Sequence, residues 1–267
     1  MRTHGSILDE IVAHKRREVE ERMAAVPLET LWRKAESAPP PRDFAGALHR
    51  GPGEPVRVLA EIKAASPSHG LIRQIIRPGS IARAYESSGA SALSVLTDQR
   101  YFAGCDVHLT EARAATNLPT LRKDFTLTEY QIWEARAIGA DAVLLMAQIL
   151  EQAEIGLFLD RTHRLGMVAL VEGHEAEEID TILHTGAVLI GVNNRDFRTM
   201  KTDIQTTLRL RDRIPADRVL VSQSGISQPD QVRVLSGAGV DAIQVGTALM
   251  EDSDPATALA LLMRGIE

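Results

Sequence analysis

The stretch Gly139-Ala140-Asp141-Ala142-Val143 recurs in varied form along the chain. The other copies are Gly89-Ala90-Ser91-Ala92-Leu93, Gly186-Ala187-Val188-Leu189, Gly239-Val240-Asp241-Ala242-Ile243 and the looser Gly166-Met167-Val168-Ala169-Leu170. Each copy follows a helical pattern and opens a run of apolar residues. A glycine at that place can end a helix in the left-handed conformation before the chain turns into a strand. The repeat therefore predicts units of one strand and one helix, each about 25 residues long.

Eight apolar runs match this pattern and are predicted as strands. They are Val56–Ile62, Ala92–Leu96, Thr120–Lys123, Ala142–Met146, Val168–Val171, Val188–Val192, Val219–Val221 and Ala242–Val245. Continuous apolar runs are typical of parallel strands that are covered on both faces. Eight strand–helix units in series predict an α/β protein with a closed (β/α)8 TIM barrel, and a doubly wound open sheet is the alternative.

The first 50 residues have a different pattern, with two predicted amphipathic helices at Ile7–Met23 and Leu28–Glu36. Their apolar stripe requires a surface to pack on. We therefore expect residues 1–50 to be an N-terminal helical extension packed on the barrel, and residues 51–267 to be the barrel, in a single domain overall. A separate interaction arm is the less favoured alternative. The charge run His14-Lys15-Arg16-Arg17-Glu18 is predicted to be a solvated helix face.

Composition excludes several classes of function. The chain of 267 residues is 44% hydrophobic and 25% charged, with a net charge of −6, so a nucleic-acid partner is not expected. A single cysteine excludes an internal disulfide and a metal site with several cysteines. No apolar run approaches the ~20 residues that cross a membrane. We expect a cytoplasmic protein with no membrane contact and no metal site.

Polar residues stand where the predicted strands end, which is where barrel enzymes place their chemistry. They include Glu61, Lys63, Lys123, Glu172, Asn193, Arg195, Gln223 and Ser224. Charged groups in a barrel mouth must be paired with opposite charges or must bind or react with a ligand, because burying an unpaired charge is costly. A lysine with a lowered pKa and a glutamate with a raised pKa would suit proton transfer. Solvated loop charges or structural ion pairs are the alternative for each residue alone.

Two glycine turns indicate a phosphate ligand. Ser224-Gly225-Ile226 follows the seventh predicted strand, and Gly246-Thr247-Ala248 follows the eighth. Phosphate sites of barrels are commonly built from these two loops, and glycine lets backbone N–H groups approach the phosphate. Two turns with no ligand are the alternative.

Five motifs in order resemble indole-3-glycerol phosphate synthase over nearly the whole chain. They are Glu61-Ile62-Lys63-Ala64-Ala65-Ser66-Pro67-Ser68, Leu121-Arg122-Lys123-Asp124-Phe125, Leu170-Val171-Glu172, Gly191-Val192-Asn193-Asn194-Arg195-Asp196 and Ser224-Gly225-Ile226. The resemblance implies a carboxy-lyase of tryptophan biosynthesis. Such an enzyme converts 1-(2-carboxyphenylamino)-1-deoxyribulose 5-phosphate into indole-3-glycerol phosphate, CO₂ and water, and the resemblance implies no cofactor.

The resemblance also assigns roles to residues. Lys123 would protonate the substrate carbonyl, and Glu172 would stabilise positive charge on the anilino group and act as a base. Glu61 and Lys63 would serve the later proton transfers and the dehydration. The expected substrate-orienting residues are Asn193, Arg195 and Ser224; the expected phosphate and substrate contacts are Ser66, Phe125, Gln223, Gly225, Gly246 and Thr247.

Three residues depart from the family pattern. Gln223 stands where Glu usually precedes Ser-Gly-Ile, Ala64 where a second basic residue is common, and His69 where Lys is frequent. The loss of a negative charge at Gln223 leaves open a second hypothesis, a barrel that binds a phosphorylated ligand or a partner subunit with little catalysis. Another phosphate-binding barrel, such as a sugar-phosphate isomerase, would lack the Ser-Pro-Ser phrase. The expected partners are a small phosphorylated substrate and other enzymes of the tryptophan pathway.

Overall fold

The computed structural model describes residues 6–74 and 76–264. Strands and helices alternate along most of this length. In chain order the elements are α1 (Ile7–Ala25), α2 (Leu28–Ser37), α3 (Phe44–Leu48), β1 (Arg57–Ile62), β2 (Ala65–Ser66), β3 (Gly70–Leu71), α4 (Pro78–Ser87), β4 (Ala92–Leu96), α5 (Gln99–Phe102), α6 (Asp106–Ala115), β5 (Thr120–Lys123), α7 (Glu129–Ala137), β6 (Ala142–Met146), α8 (Gln152–Arg164), β7 (Val168–Gly173), α9 (Ala176–His184), β8 (Leu189–Asn193), α10 (Gln205–Leu210), a 3-10 turn (Arg211–Arg213), β9 (Val219–Gln223), α11 (Pro229–Gly237), β10 (Ala242–Val245), α12 (Thr247–Met250) and α13 (Pro255–Leu262).

Eight of the strands form one closed parallel barrel. Strands β4 to β10 pair in chain order, and β1 closes the ring by pairing with both β4 and β10. Leu59 of β1 lies opposite Ala92 on one side and Gln244 on the other. The short strands β2 and β3 form a separate antiparallel hairpin just after β1. The predicted (β/α)8 barrel is confirmed, and the open-sheet alternative is wrong.

Side chains alternate between the two faces of each barrel strand. In β1, Ala60 and Ile62 pack outward in the apolar layer between strands and helices, whereas Leu59 belongs to the cluster inside the barrel. Every barrel strand contributes apolar side chains to the interior. Its members from the strands are Leu59, Ala92, Leu121, Ala142, Leu144, Met146, Leu170, Leu189, Val221 and Ala242.

Helix α3 closes the end of the barrel at which the strands begin. Phe44 and Leu48 of this helix are fully buried in the interior cluster. The backbone N–H of Arg42 donates to Asp141 at 2.8 Å, and that of Arg50 donates to Asp241 at 3.2 Å. Asp141 and Asp241 are the acidic residues of the repeated Gly-x-Asp phrase. Through these hydrogen bonds, each aspartate holds the segment before β1 against the start of a barrel strand.

Helix α1 lies at the opposite end, at the C-terminal mouth. Its residues Leu8 and Ile11 belong to the interior cluster. Lys15 is 1% exposed, with its Nζ atom 2.8 Å from Asp98 Oδ2 and 2.9 Å from Asp124 Oδ1. The prediction of a solvated face is therefore wrong for Lys15. Its partners follow β4 and β5, far away in sequence, so the local pattern of charges cannot reveal them.

Four strand predictions, Ala92–Leu96, Thr120–Lys123, Ala142–Met146 and Ala242–Val245, agree with the structure at both ends. Strands β7, β8 and β9 continue beyond the predicted ends, by two, one and two residues respectively. The polar residues there end the apolar run but not the strand, because hydrogen bonds inside the barrel mouth satisfy them. None of the helices within residues 6–74 and 76–264 has both the length and the apolar character that crossing a membrane requires.

Candidate active site

A cavity opens at the C-terminal ends of the barrel strands. One wall is apolar and receives two residues from helix α1. It consists of Ile7, Ile11, Leu96, Phe102, Phe125, Leu144, Met146 and Phe197. The facing side is polar and consists mainly of Glu61, Lys63, Ser66, Lys123, Glu172, Asn193, Arg195 and Ser224. The cavity therefore joins an apolar surface, suited to an aromatic ring, to charged groups suited to proton transfer.

A second cavity adjoins the first and shares Glu61, Lys63, Arg195 and Ser224 with it. Its own lining includes both predicted glycine turns, through Gly225, Gly246 and Thr247, together with His69 and Ser227. The two cavities bring together all the predicted site residues except Gln223. Ser66, predicted as a phosphate contact, lines the first cavity, as does Ser224 of the first glycine turn.

Lys123 and Glu172 form the first charged pair of the site. Lys123 Nζ lies 3.5 Å from Glu172 Oε2, and Asn193 Nδ2 donates to Glu172 Oε1 at 2.8 Å. Asn193 is oriented in turn because its Oδ1 accepts from the backbone N–H of Arg195 at 3.0 Å. Glu172 is only 1% exposed. The carboxylate is therefore held in one orientation beside Lys123, and both side chains line the cavity.

Glu61 and Lys63 form the second charged pair. Lys63 Nζ lies 2.7 Å from Glu61 Oε1, and Gln244 Nε2 donates to Glu61 Oε2 at 2.5 Å. Burial by itself would raise the pKa of Glu61, but the charges of Lys63 and Lys123 and the hydrogen bonds outweigh burial and hold the pKa below its ordinary value. The expectation of a glutamate with a raised pKa is wrong for Glu61, which is ionised at neutral pH.

The chain turns sharply after β9 at Ser224 and Gly225, whose φ angles are +70° and +75°. Glycine adopts this left-handed conformation freely, whereas it is strained for serine. Asn194 Nδ2 stabilises the turn by donating to the backbone oxygen of Ser224 at 3.0 Å. A side chain on Gly225 would place its Cβ 2.8 Å from the Cβ of Thr202. The turn therefore requires glycine for both conformation and space.

Gln223 lies below the site and lines neither cavity. It is 1% exposed, and its Nε2 donates to Gln244 Oε1 at 2.7 Å. A side chain at Gly191 would overlap Gln223 Oε1, so this glycine leaves the space that the amide fills. The structure describes no ligand, so the assignment of Gln223 as a substrate or phosphate contact stays a prediction.

Gly246 has a structural role that the sequence did not indicate. A Cβ at this position would overlap Glu61 Oε1. The sequence pattern also did not predict Gln244, or Ile7 and Ile11 of α1, as site residues. Gln244 is a lone polar residue in an apolar strand, which is a weak signal. The apolar stripe of α1 was the available signal for the other two.

Within the part of the chain that the structure describes, no three His, Cys, Asp or Glu side chains are grouped so that they could hold a metal ion.

A parallel barrel with two lysine–carboxylate pairs at its C-terminal mouth defines a (β/α)8-barrel enzyme. Residues 8–262 match the family model described as indole-3-glycerol phosphate synthase. The chain belongs to the indole-3-glycerol phosphate synthase family, so it is a carboxy-lyase of tryptophan biosynthesis that acts on a small phosphorylated substrate.

Curated relatives agree along nearly the whole length. The indole-3-glycerol phosphate synthase of Acidithiobacillus ferrooxidans is 47% identical over 255 residues, covering 95% of this chain and 97% of the relative. That of Dechloromonas aromatica is 46% identical over 259 residues, covering 97% and 99%. Thiamine phosphate pyrophosphorylase from Pyrococcus furiosus has a similar fold, with a TM-score of 0.59, 15% identity and coverage of 78% of this chain and 94% of that one. At this identity the similarity extends to the fold alone.

Proposed function

We propose that Lys123, Glu172, Glu61 and Lys63 carry out the ring closure, decarboxylation and dehydration that convert 1-(2-carboxyphenylamino)-1-deoxyribulose 5-phosphate into indole-3-glycerol phosphate. The observation that carries this proposal is that all four charged side chains line one cavity, opposite an apolar wall. The membership of the family supports the choice of substrate.

In the ring closure, the aromatic carbon that bears the carboxylate attacks the ketone carbon, and the carbonyl oxygen takes a proton. Lys123 is placed to supply that proton, because its ammonium group is at the cavity surface. The ring becomes positively charged, and this charge is shared with the anilino nitrogen. The Glu172 carboxylate, 3.5 Å from Lys123, stabilises that charge. Loss of CO₂ returns the electron pair of the broken carbon–carbon bond to the ring and restores its aromaticity.

In the dehydration, a proton leaves the intermediate and the new hydroxyl group departs as water. Glu61 is the proton acceptor, because its carboxylate lines the cavity and is ionised at neutral pH. Lys63, 2.7 Å from Glu61, protonates the departing hydroxyl. The positions of the two groups support a division of labour in which Lys123 serves ring closure and the Glu61–Lys63 pair serves dehydration.

Binding is divided between the two cavities in this proposal. The carboxyphenyl ring lies against the apolar wall that includes Phe125 and Ile11. The phosphate occupies the adjoining cavity, near the backbone N–H groups of Gly225, Gly246 and Thr247. Asn193, Arg195 and Ser224 orient the part of the substrate between them, and Ser66 faces the first cavity.

The direct test is the appearance of indole fluorescence when the purified protein meets the carboxyphenylamino substrate. Lys123→Ala should lower kcat by roughly 10²- to 10⁴-fold, as expected when a general acid is lost. Lys34→Ala, which removes an exposed lysine of α2, is the matched control and should turn over normally. A wild-type protein that binds the substrate without forming product would support the alternative of a ligand-binding barrel. Near-normal kcat in Lys123→Ala would remove Lys123 from its role.

Two further expectations belong to this proposal. The first is a cytoplasmic location, because a phosphate ester crosses membranes poorly and its enzymes must share its compartment. The second is association with other enzymes of the tryptophan pathway, which co-purification of the native protein would test.

A further inference from the structure

Three side chains form a hydrogen-bonded row inside the barrel, on the neighbouring strands β9, β10 and β1. Gln223 Nε2 donates to Gln244 Oε1 at 2.7 Å, and Gln244 Nε2 donates to Glu61 Oε2 at 2.5 Å. Gln223 is 1% exposed, Gln244 4% and Glu61 6%. Water therefore cannot easily replace either hydrogen bond, and each amide depends on its neighbour.

The ionised state of Glu61 determines the orientation of the side-chain amide groups of Gln244 and Gln223. A carboxylate only accepts hydrogen bonds, so Gln244 must present its NH₂ group to Glu61. The oxygen of Gln244 then faces Gln223, which must present its own NH₂ group. Lys63 occupies the other carboxylate oxygen at 2.7 Å. Each of the two carboxylate oxygens of Glu61 therefore has its own donor, and the row has a single consistent direction.

We propose that Gln244, oriented by Gln223, is a positioning residue that fixes the Glu61 carboxylate against Lys63 for the proton transfers of dehydration. This inference rests on the function proposed above, because it gives Glu61 its task. The space around the row fits the role. A Cβ on Gly246 would overlap Glu61 Oε1. The Glu61 carboxylate is therefore packed closely between Gly246, Lys63 and Gln244.

The charged and titratable groups around Glu61 come from several elements. Lys63 follows β1, Lys123 ends β5, and Arg195 follows β8; all three are cations that interact with the Glu61 carboxylate. Tyr85 of α4 donates its hydroxyl to the backbone oxygen of Glu61 at 3.2 Å. Gln244 is a neutral donor to the carboxylate, so its removal leaves every cation in place. A change in Gln244 therefore alters its hydrogen bonds with Gln223 and Glu61 without removing a charge.

Gln244→Met is the first test variant, because methionine has a similar length and neither donates nor accepts strongly. We expect kcat to fall roughly 10- to 100-fold, the ratio that corresponds to losing one hydrogen bond to a charged group. Substrate KM should change much less than kcat, although Gln244 also lines the second cavity. The lost donor favoured the ionised carboxylate, so the pKa of Glu61 should rise and the acid limb of the kcat profile should move to higher pH. Gln152→Met, on the exposed face of α8, is the control.

The variant Gln244→Glu tests the same hydrogen bonds through the pH dependence of kcat. While the new carboxyl is protonated, it can donate to Glu61 and still accept from Gln223, so the row persists. When it ionises, two carboxylates face each other and the row breaks. Activity should therefore be retained at low pH and be lost as the pH rises through the pKa of the new group. A residue that only fills space would not show this pH-dependent rescue.

Gln223→Leu tests whether Gln223 works through Gln244. Alone it should lower kcat by less than Gln244→Met does, because Gln244 can still donate to Glu61. Added to Gln244→Met, it should cause no further fall in kcat, since the row is already broken. Independent, multiplied effects of the two changes would contradict a single row.

The pKa of Glu61 can be measured without turnover by ¹³C NMR of labelled glutamate, with the signal assigned through its loss in Glu61→Gln. A higher pKa in Gln244→Met with lower kcat supports the proposal. An unmoved pKa with an unmoved pH profile overturns it, and so does a raised KM with normal kcat, which would make Gln244 a ligand contact. Absence of product in the wild type would instead refute the proposed function. If circular dichroism shows that Gln244→Met does not fold, the pH profile of Gln244→Glu tests the proposal instead.

Discussion

Replacing Lys15 by methionine should destabilise the protein and loosen helix α1 at the barrel mouth. Lys15 is the cation that holds Asp98 and Asp124 together, at 2.8 Å and 2.9 Å. Desolvation by burial would lower the pKa of Lys15, but the two carboxylates outweigh burial and raise it. The change to methionine keeps most of the apolar stem and removes only the charge. The two aspartates then remain buried without their main partner.

The expected cost follows from this burial. The side chains of Lys15, Asp98 and Asp124 are 1%, 0% and 1% exposed. Removing one partner from a buried ion pair costs about 3–5 kcal/mol, because the remaining charge stays desolvated. At about 2–4 °C per kcal/mol for a chain of this size, Tm should fall by roughly 6–20 °C. Ile7 and Ile11, which α1 supplies to the cavity wall, should then hold substrate less firmly and KM should rise.

The assay is urea unfolding at neutral pH, combined with steady-state kinetics at a temperature where the variant is folded. Arg33→Met is the matched control, because Arg33 pairs with Glu29 at 2.6 Å while being 78% exposed. That exposed pair should contribute less than about 1 kcal/mol. Adding Asp98→Asn to Lys15→Met should recover part of the loss, because it removes one unpaired charge. A loss below about 1 kcal/mol in Lys15→Met, equal to that of Arg33→Met, would refute the reasoning.

The remaining predictions concern Gly246 and the stability in acid. Gly246→Ala should displace the Glu61 carboxylate and lower kcat by roughly 10²-fold, measured by indole fluorescence, while Gly237→Ala, with nothing near its added Cβ, should be normal. Burial alone would raise the pKa of Asp124, but Lys15 and Arg122 lower it from 3.8 to about 2. Its stabilisation is therefore present above about pH 4 and lost as the pH falls through 2; it amounts to about 2 kcal/mol. Urea unfolding between pH 5 and pH 2 should show this loss, and Asp124→Asn should unfold with a flatter pH dependence.

The barrel could be predicted from sequence because its signal is local and repeated. The glycine that ends a helix and the apolar run that follows occur in each of four close copies, and Ala142–Met146 has the same bounds in prediction and structure. Glu61, Lys63 and Lys123 could be predicted as site residues because strand ends must meet at the barrel mouth. Their pairing was not visible, because sequence does not show which neighbour each charge meets.

The missed features depend on contacts between distant strands. Lys15 lies in a run of charged residues that is typical of a solvated helix face. Only its contacts with Asp98 and Asp124 show that its side chain is buried. Gln244 is one polar residue in a short apolar strand, and only Glu61 and Gln223 reveal its use. Gln223 is predicted as a contact because Glu usually stands at that place in the family, but only the structure reveals its hydrogen bond to Gln244.

The closure of the ring between β1 and β10 has a consequence for how the protein matures. The hydrogen bond from Gln244 to Glu61 joins residues 183 positions apart, and the one from Arg50 to Asp241 joins residues 191 apart. Contacts this distant form slowly, because a long loop must close before they are made. A nascent chain still lacking β10 can build helices and most strands but cannot set Glu61 in place. We therefore expect catalytic competence to be the last property gained on refolding, later than the recovery of helical circular dichroism.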